Sequence, residues 1–125
     1  MQIEKIGQIA LNVKDLPRAI AFYRDQLKLQ HLFDAGPQMS FFQCGEVRLM
    51  LSIAEKPEFN HPASIMYYKV ADLQAAHLEL AAQGVVFEQL PTLVAPMPDH
   101  DLWMAFCRDS ENNLLALMSE VSRQN

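Results

Sequence analysis

The sequence predicts a single small α+β domain built from two tandem β-α-β-β-β modules. Three observations favour this fold class. The chain has 125 residues, 50% hydrophobic and 20% charged, which suits one soluble domain with one hydrophobic core. A strand-like segment at residues 8–16 recurs at residues 65–73. Each copy precedes a helix-like pattern and then three further strand-like segments.

The two copies of the repeat read QIALNVKDL and IMYYKVADL. In both, an apolar or alternating strand ends at an aspartate, Asp15 or Asp72. A side-chain oxygen at this position can accept a hydrogen bond from the free N–H groups of a helix's first turn. We therefore expect a strand, a capped helix start and a helix in each half.

Two helices are expected after these caps. The first spans Asp15–Leu27, because apolar residues recur there at helical spacing and Pro17 occupies the tolerant first turn. The second starts at Asp72 and ends near Gln83, since Gly84 is suited to the left-handed conformation that terminates a helix.

Three further strands are expected in each half, separated by glycine, proline or polar turns. They are His31–Asp34, Met39–Cys44 and Val47–Ile53, then Val85–Leu90, Leu102–Arg108 and Leu114–Ser119. The proline-containing segment Pro91–Asp101 is interpreted as a stiff flap. The predicted organisation is module one at 1–54, a linker at 55–62 and module two at 63–125.

The net charge and the two cysteines indicate which kinds of partner and cellular compartment to expect. The net charge of -5 disfavours nucleic-acid binding, which depends on neutralising phosphates. Cys44 and Cys107 lie in separate apolar runs, without the spacing of a zinc or redox site, and are expected to be free thiols. No secretory leader or membrane-spanning run is recognisable, so we expect a cytoplasmic protein without a membrane partner.

The ordered segments resemble the vicinal oxygen chelate superfamily, which includes glyoxalases, bleomycin resistance proteins and extradiol dioxygenases. The resemblance rests on QIALNVKDL followed by Ala21–Tyr23, on VADL, and on FCRDSENNLLALM near the C-terminal end. It implies a half-open, barrel-like mixed sheet around a central cavity, and a homodimer by analogy.

The same resemblance implies where a metal would be bound. Members that use a metal hold it at positions matching Gln8, Met50, Ile65 and Ala116, usually with His, Glu or Gln. Here only Gln8 offers an oxygen or nitrogen donor, and divalent ions need several. We therefore expect no metal cofactor, and a cavity that binds a small organic molecule.

Strand alternation predicts which other side chains share a face with Gln8. If Gln8 faces the cavity, so do the remaining members of the expected ligand-binding set, namely Asn12, Arg48, Met50, Tyr67 and Lys69. Arg48 and Lys69 could meet an anionic group, and Trp103 could add an aromatic wall. Alternatively, Gln8 is a buried amide bonded to a neighbouring strand, and Arg48 and Lys69 are solvated edge residues.

His100 is the candidate for catalysis, because Asp99 and Asp101 flank it and a carboxylate could orient its ring. Such a triplet is also common in plain solvated loops. The leading hypothesis is a glyoxalase- or bleomycin-resistance-like protein that binds a ligand without a metal. The alternative is a lyase, isomerase or epimerase of a small oxygenated substrate, with His100 as acid or base or with an atypical metal site including Gln8.

Overall fold

The computed structural model describes residues 1–62 and 64–123 and confirms the predicted α+β fold class. Each half of the chain forms a four-stranded mixed sheet with one helical segment. Internal contacts divide the chain into two compact units, residues 1–63 and residues 64–125. No helix within the described ranges is long and apolar enough to cross a membrane.

The first unit contains four strands and an α-helix in the predicted order. They are β1 (Gln8–Asn12), α1 (Leu16–Ala21), β2 (Gln30–Asp34), β3 (Met39–Cys44) and β4 (Val47–Ser52). The sheet order is β1-β4-β3-β2, with β1 parallel to β4 and the other pairs antiparallel. The expected linker contains a short 3-10 turn, Pro57–Phe59.

Helix α1 begins where the sequence predicts and changes its geometry midway. Asp15 caps it by accepting a hydrogen bond from the backbone N–H of Arg18 at 3.1 Å. A π-helical turn, Phe22–Gln26, continues the helix, so the helical segment ends close to the predicted Leu27. Tyr23 in this turn packs against Phe42 of β3, with ring centroids 6.4 Å apart. The helical segment therefore covers one face of the first sheet.

The second unit repeats this arrangement. Its elements are β5 (Met66–Lys69), α2 (Leu73–Ala82), β6 (Phe87–Pro96), β7 (His100–Arg108) and β8 (Leu114–Ser122). The sheet order is β5-β8-β7-β6, with β5 parallel to β8. Leu73 and Leu80 of α2 are buried, as are Leu115 and Leu117 of β8. The core of this unit therefore lies between the helix and one face of its sheet.

The prediction of a stiff flap at Pro91–Asp101 is wrong. The segment up to Pro96 belongs to β6, and His100 already begins β7, with a tight turn closed by a 2.7 Å bond from the N–H of Met97 to the carbonyl of His100. Strand β6 tolerates prolines because it is an edge strand and its pairing with β7 is interrupted by register shifts on both sides of Thr92.

Candidate functional site

The register of β1 and β4 gathers four of the predicted ligand-binding residues on one face of the first sheet. Gln8 pairs with Arg48, Ala10 with Met50, and Asn12 with Ser52. The intervening residues Leu11, Leu49 and Leu51 are buried, on the side that α1 covers. We call the opposite side, which carries Gln8, Asn12, Arg48 and Met50, the helix-free face of the first unit.

Gln8 is the centre of a polar contact on this face. Its Oε1 accepts a 2.7 Å hydrogen bond from Nε of Arg48, and its Nε2 lies 3.8 Å from Sδ of Met50. The guanidinium carbon of Arg48 also lies 5.4 Å from the ring centre of Phe41, a cation–π distance. Gln8 is therefore hydrogen-bonded to a neighbouring strand, as one of the alternatives expected, but on an exposed face rather than in the core.

A cavity of about 380 Å³ opens on the same face. Its floor comes from the strands and its rim from the segment that the sequence predicts to be a linker. The residues that line it are Ala10, Asn12, Met39, Met50, Ser52, Ile53, Ala54, Glu55, Phe59 and His61. The wall is mainly apolar with a few polar groups, the usual composition of a small-molecule pocket.

Asn12 holds the rim of this cavity in place. Its side-chain amide donates hydrogen bonds to the carbonyl oxygens of Phe59 and His61, the latter at 3.1 Å. Sequence reasoning placed Asn12 on this face but missed Phe59 and His61, because a proline-rich connection has no periodicity that would indicate a wall. The one available signal was an aromatic residue, Phe59, in an otherwise polar segment.

The second unit places Tyr67 and Lys69 together on the helix-free face of its own sheet. Tyr67 pairs with Ala116, and its ring meets Phe106 edge to face with centroids 6.0 Å apart. Nζ of Lys69 lies 2.6 Å from a carboxylate oxygen of Glu120. This ion pair lowers the pKa of Glu120, chiefly through the hydrogen bond from Lys69. The ammonium group of Lys69 is therefore already paired with a carboxylate.

His100 lies between two carboxylates. Its Nδ1 is 2.6 Å from Oδ1 of Asp99, and its Nε2 is 3.1 Å from Oε2 of Glu120. Its hydrogen bond to Asp99 also lowers the pKa of that carboxyl group. The sequence correctly indicated an orienting aspartate but gave no sign of Glu120. Nδ1 is therefore hydrogen-bonded to Asp99, and Nε2 faces the carboxylate of Glu120.

Trp103 is not brought together with Tyr67 and Lys69. It pairs with Ser119 across β7 and β8, and alternation places both residues on the face that carries α2. There Trp103 lines a groove of about 400 Å³ beside the first turn of α2, together with Ser119 and Val121. Trp103 and Tyr67 therefore lie on opposite faces of the second sheet.

The residues at the four positions where the resemblance implies a metal site do not fit a divalent ion. In the first unit, the single oxygen donor of Gln8 already accepts from a guanidinium, whose positive charge would repel a cation, and Met50 offers only a thioether. In the second unit, Ile65 lies before β5 and Ala116 is fully buried, and neither side chain has a donor atom. Among residues 1–62 and 64–123, no three His, Cys, Asp or Glu side chains are grouped to hold a metal.

Comparison with known proteins identifies the sequence family. The model described as Glyoxalase/Bleomycin resistance protein/Dioxygenase superfamily matches residues 5–117. No curated protein matches the chain significantly.

Solved structures show the same fold at low sequence identity. An antibiotic binding protein from Streptomyces sp. CB03234, TnmS3, superposes with a TM-score of 0.78 at 19% identity, covering 96% of this chain and 98% of that one. A lactoylglutathione lyase from Agrobacterium tumefaciens gives 0.74 at 20% identity, covering 94% and 95%. A superfamily member from Sphaerobacter thermophilus gives 0.75 at 21% identity, covering 94% and 98%.

Proposed function

Because the chain belongs to the glyoxalase/bleomycin resistance protein/dioxygenase superfamily, we propose that it is a binding protein that holds a small organic molecule without a metal. The observation that carries the proposal is the contact between Arg48 and Gln8. It occupies the one oxygen donor among the family's four metal positions with a positively charged group. The mainly apolar cavity beside Met50 supplies a place for the ligand.

Binding in such a cavity would draw most of its free energy from apolar contact, with polar groups fixing the ligand's orientation. Met39, Met50 and Phe59 provide the apolar surface, and methionine side chains adapt to irregular ligands. Asn12 and Ser52 provide polar groups within the wall. The fold is one that an antibiotic binding protein also uses.

Two measurements test the proposal. Elemental analysis of the purified protein should find no stoichiometric transition metal. Fluorescence titration with N-phenyl-1-naphthylamine, a neutral apolar probe, should show saturable binding that Ala10→Leu weakens about tenfold, because leucine fills the cavity that Ala10 lines. Ala75→Leu makes the same change at an exposed position of α2 and should leave binding unchanged. Stoichiometric metal that is lost with Gln8→Ala would overturn the proposal.

In the catalytic alternative, a lyase, isomerase or epimerase, either His100 exchanges a proton with a substrate or an atypical metal site includes Gln8. The contact of His100 with Asp99 supports an oriented ring, but Nε2 lies 3.1 Å from a carboxylate oxygen of Glu120, which would compete with a substrate for that nitrogen. Binding is therefore the better-supported function. Turnover of aldehyde–thiol adducts, hydroxy acids or acyl thioesters that disappears in His100→Ala would establish the alternative.

The proposal includes a homodimer. The edge strand β6 carries exposed apolar side chains, among them Leu90 and Val94, and an unpaired sheet edge of this kind favours association with another chain. Sedimentation equilibrium should then give twice the 14.2 kDa chain mass. A monomer across the micromolar range would contradict it.

We also propose a cytoplasmic location and no nucleic-acid partner. Cys44 and Cys107 are free thiols, which suits a reducing compartment, and the net charge is negative. Cell fractionation tests the location, and recovery in the membrane or secreted fraction would contradict it. Electrophoretic mobility of labelled DNA and RNA should be unaffected by the protein.

A further inference from the structure

The contacts of the Arg48 guanidinium differ from those of three other arginines of the chain. Its Nε is fixed by the 2.7 Å bond to Gln8, and its planar group lies over Phe41. Other arginines face carboxylates: Arg24 pairs with Asp25, Arg108 with Glu88, and Arg123 with Asp101. Within residues 1–62 and 64–123, no carboxylate pairs with Arg48.

We propose that Arg48 recognises an oxyanion group, such as a carboxylate or sulfonate, on the ligand of the first-unit cavity. This inference rests on the proposed binding function and adds the ligand class, an amphiphilic anion. Gln8 accepts a hydrogen bond only from Nε of Arg48, so the N–H groups of the two terminal guanidinium nitrogens are left to bind a ligand. A guanidinium presents these donors in a plane that matches two oxygens of one anion.

The position of Arg48 suits such a ligand because the cation adjoins the apolar wall. Met50 lies two residues along β4 on the same face, contacts Gln8 and lines the cavity. A ligand with its anionic end at Arg48 would thus place its apolar body over Met50 and into the cavity. Lys69, the other predicted anion contact, is paired with Glu120 at 2.6 Å and is a poorer partner for a second anion.

Orientation by Gln8 and Phe41 also lowers the entropy cost of using an exposed arginine. A free arginine side chain loses considerable rotamer freedom when it binds. Here one hydrogen bond and one ring contact already restrict it. Lysine could not replace it well, because an ammonium group has no planar pair of donors.

Two matched probes test the inference. 1-Anilinonaphthalene-8-sulfonate and N-phenyl-1-naphthylamine differ only by the sulfonate group. The native protein should bind the sulfonate at least tenfold more tightly, the scale of one charge-assisted hydrogen-bond pair. Arg48→Met should abolish this preference while leaving the affinity for the neutral probe within about twofold, and Arg48→Lys should restore only part of it.

Arg24→Met is the control, because it removes the same charge from an exposed arginine that is paired with Asp25. The Arg24→Met variant should retain the preference for the sulfonate probe. This result would exclude a general effect of the protein's net charge on that preference. Binding of the neutral probe with no preference for the sulfonate would overturn the role of Arg48 and leave the proposed binding function intact. Saturable binding of neither probe would overturn both.

Discussion

The hydroxyl of Ser40, a fully buried residue of β3, donates a 2.7 Å hydrogen bond to Oδ1 of Asp34 on β2. The same carboxylate oxygen lies 2.8 Å from Nε2 of His31. Serine, histidine and aspartate thus meet, but a buried serine cannot attack a substrate, so the cluster is structural. It joins the edge strand β2 to β3, and the ring of His31 also packs against Phe42, with ring centroids 5.1 Å apart.

This cluster predicts an acid-dependent part of the stability. The hydrogen bond from Ser40, and next that from His31, hold the pKa of Asp34 below its ordinary value of 3.8. Because the folded-state pKa is lowered, the stabilisation is present above about pH 4 and is lost as the pH falls through the folded-state value. Asp34→Asn should therefore destabilise the protein at pH 6 more than at pH 2.5.

Urea unfolding at both pH values measures this difference. Since the side chain of Asp34 is 49% exposed, solvent screens the interaction and the expected effect at pH 6 is about 1 kcal/mol or less. Asp25→Asn, which alters an exposed carboxylate paired with a neighbouring arginine, is the control and should cost less. An equal loss for Asp34→Asn at both pH values would contradict the prediction.

The cap of α2 predicts a second stability effect. Asp72 accepts a 3.0 Å hydrogen bond from the backbone N–H of Ala75, so Asp72→Ala should cost about 1 kcal/mol. Asp72→Asn keeps a capping oxygen and should retain most of the stability. Thermal unfolding followed by circular dichroism compares the variants, and equal midpoints for Asp72→Ala and the native protein would contradict the role.

The bonds from Asn12 to the rim predict a local effect on the cavity. Asn12→Ala removes both bonds to the Phe59 and His61 carbonyls, so segment 55–62 should open more often. Digestion with a glutamate-specific protease at Glu55 and Glu58 should then be roughly fivefold faster, as expected for about 1 kcal/mol.

Ser52→Ala is the control for Asn12→Ala, because Ser52 pairs with Asn12 in the sheet and lines the same cavity. Its digestion rate should match that of the native protein. Acceleration of the same size in both variants would indicate a general loosening of the sheet edge rather than the loss of the rim contacts.

Burial predicts unequal reactivity of the two thiols. Desolvation, and next the charge of Asp109, raises the pKa of Cys107 to about 11. At pH 8 its thiolate fraction is then on the order of one in a thousand. A disulfide reagent such as DTNB should modify the less buried Cys44 first in the native protein, and both thiols after unfolding. If the folded Cys44→Ser variant reacts with DTNB as fast as the folded unmutated protein, this order is contradicted.

The sequence by itself determined the fold class, because local chemistry repeats in both halves. Asp15 and Asp72 cap their helices as predicted, and the observed β3, Met39–Cys44, has the predicted bounds. Alternation also placed Gln8, Asn12, Arg48 and Met50 on one face correctly, since a period of two follows from strand geometry alone. These features depend on neighbours in the chain.

Only the tertiary structure decided which of these side chains are already engaged. Register between distant strands brings Arg48 to Gln8 and leaves it without a carboxylate in the described ranges, and it brings Glu120 to both Lys69 and His100. The prolines near residue 91 predicted a flap, but an irregular edge strand accommodates them. Pairing across the sheet depends on long-range register, which no local pattern specifies, and the chemistry of the candidate site follows from that pairing.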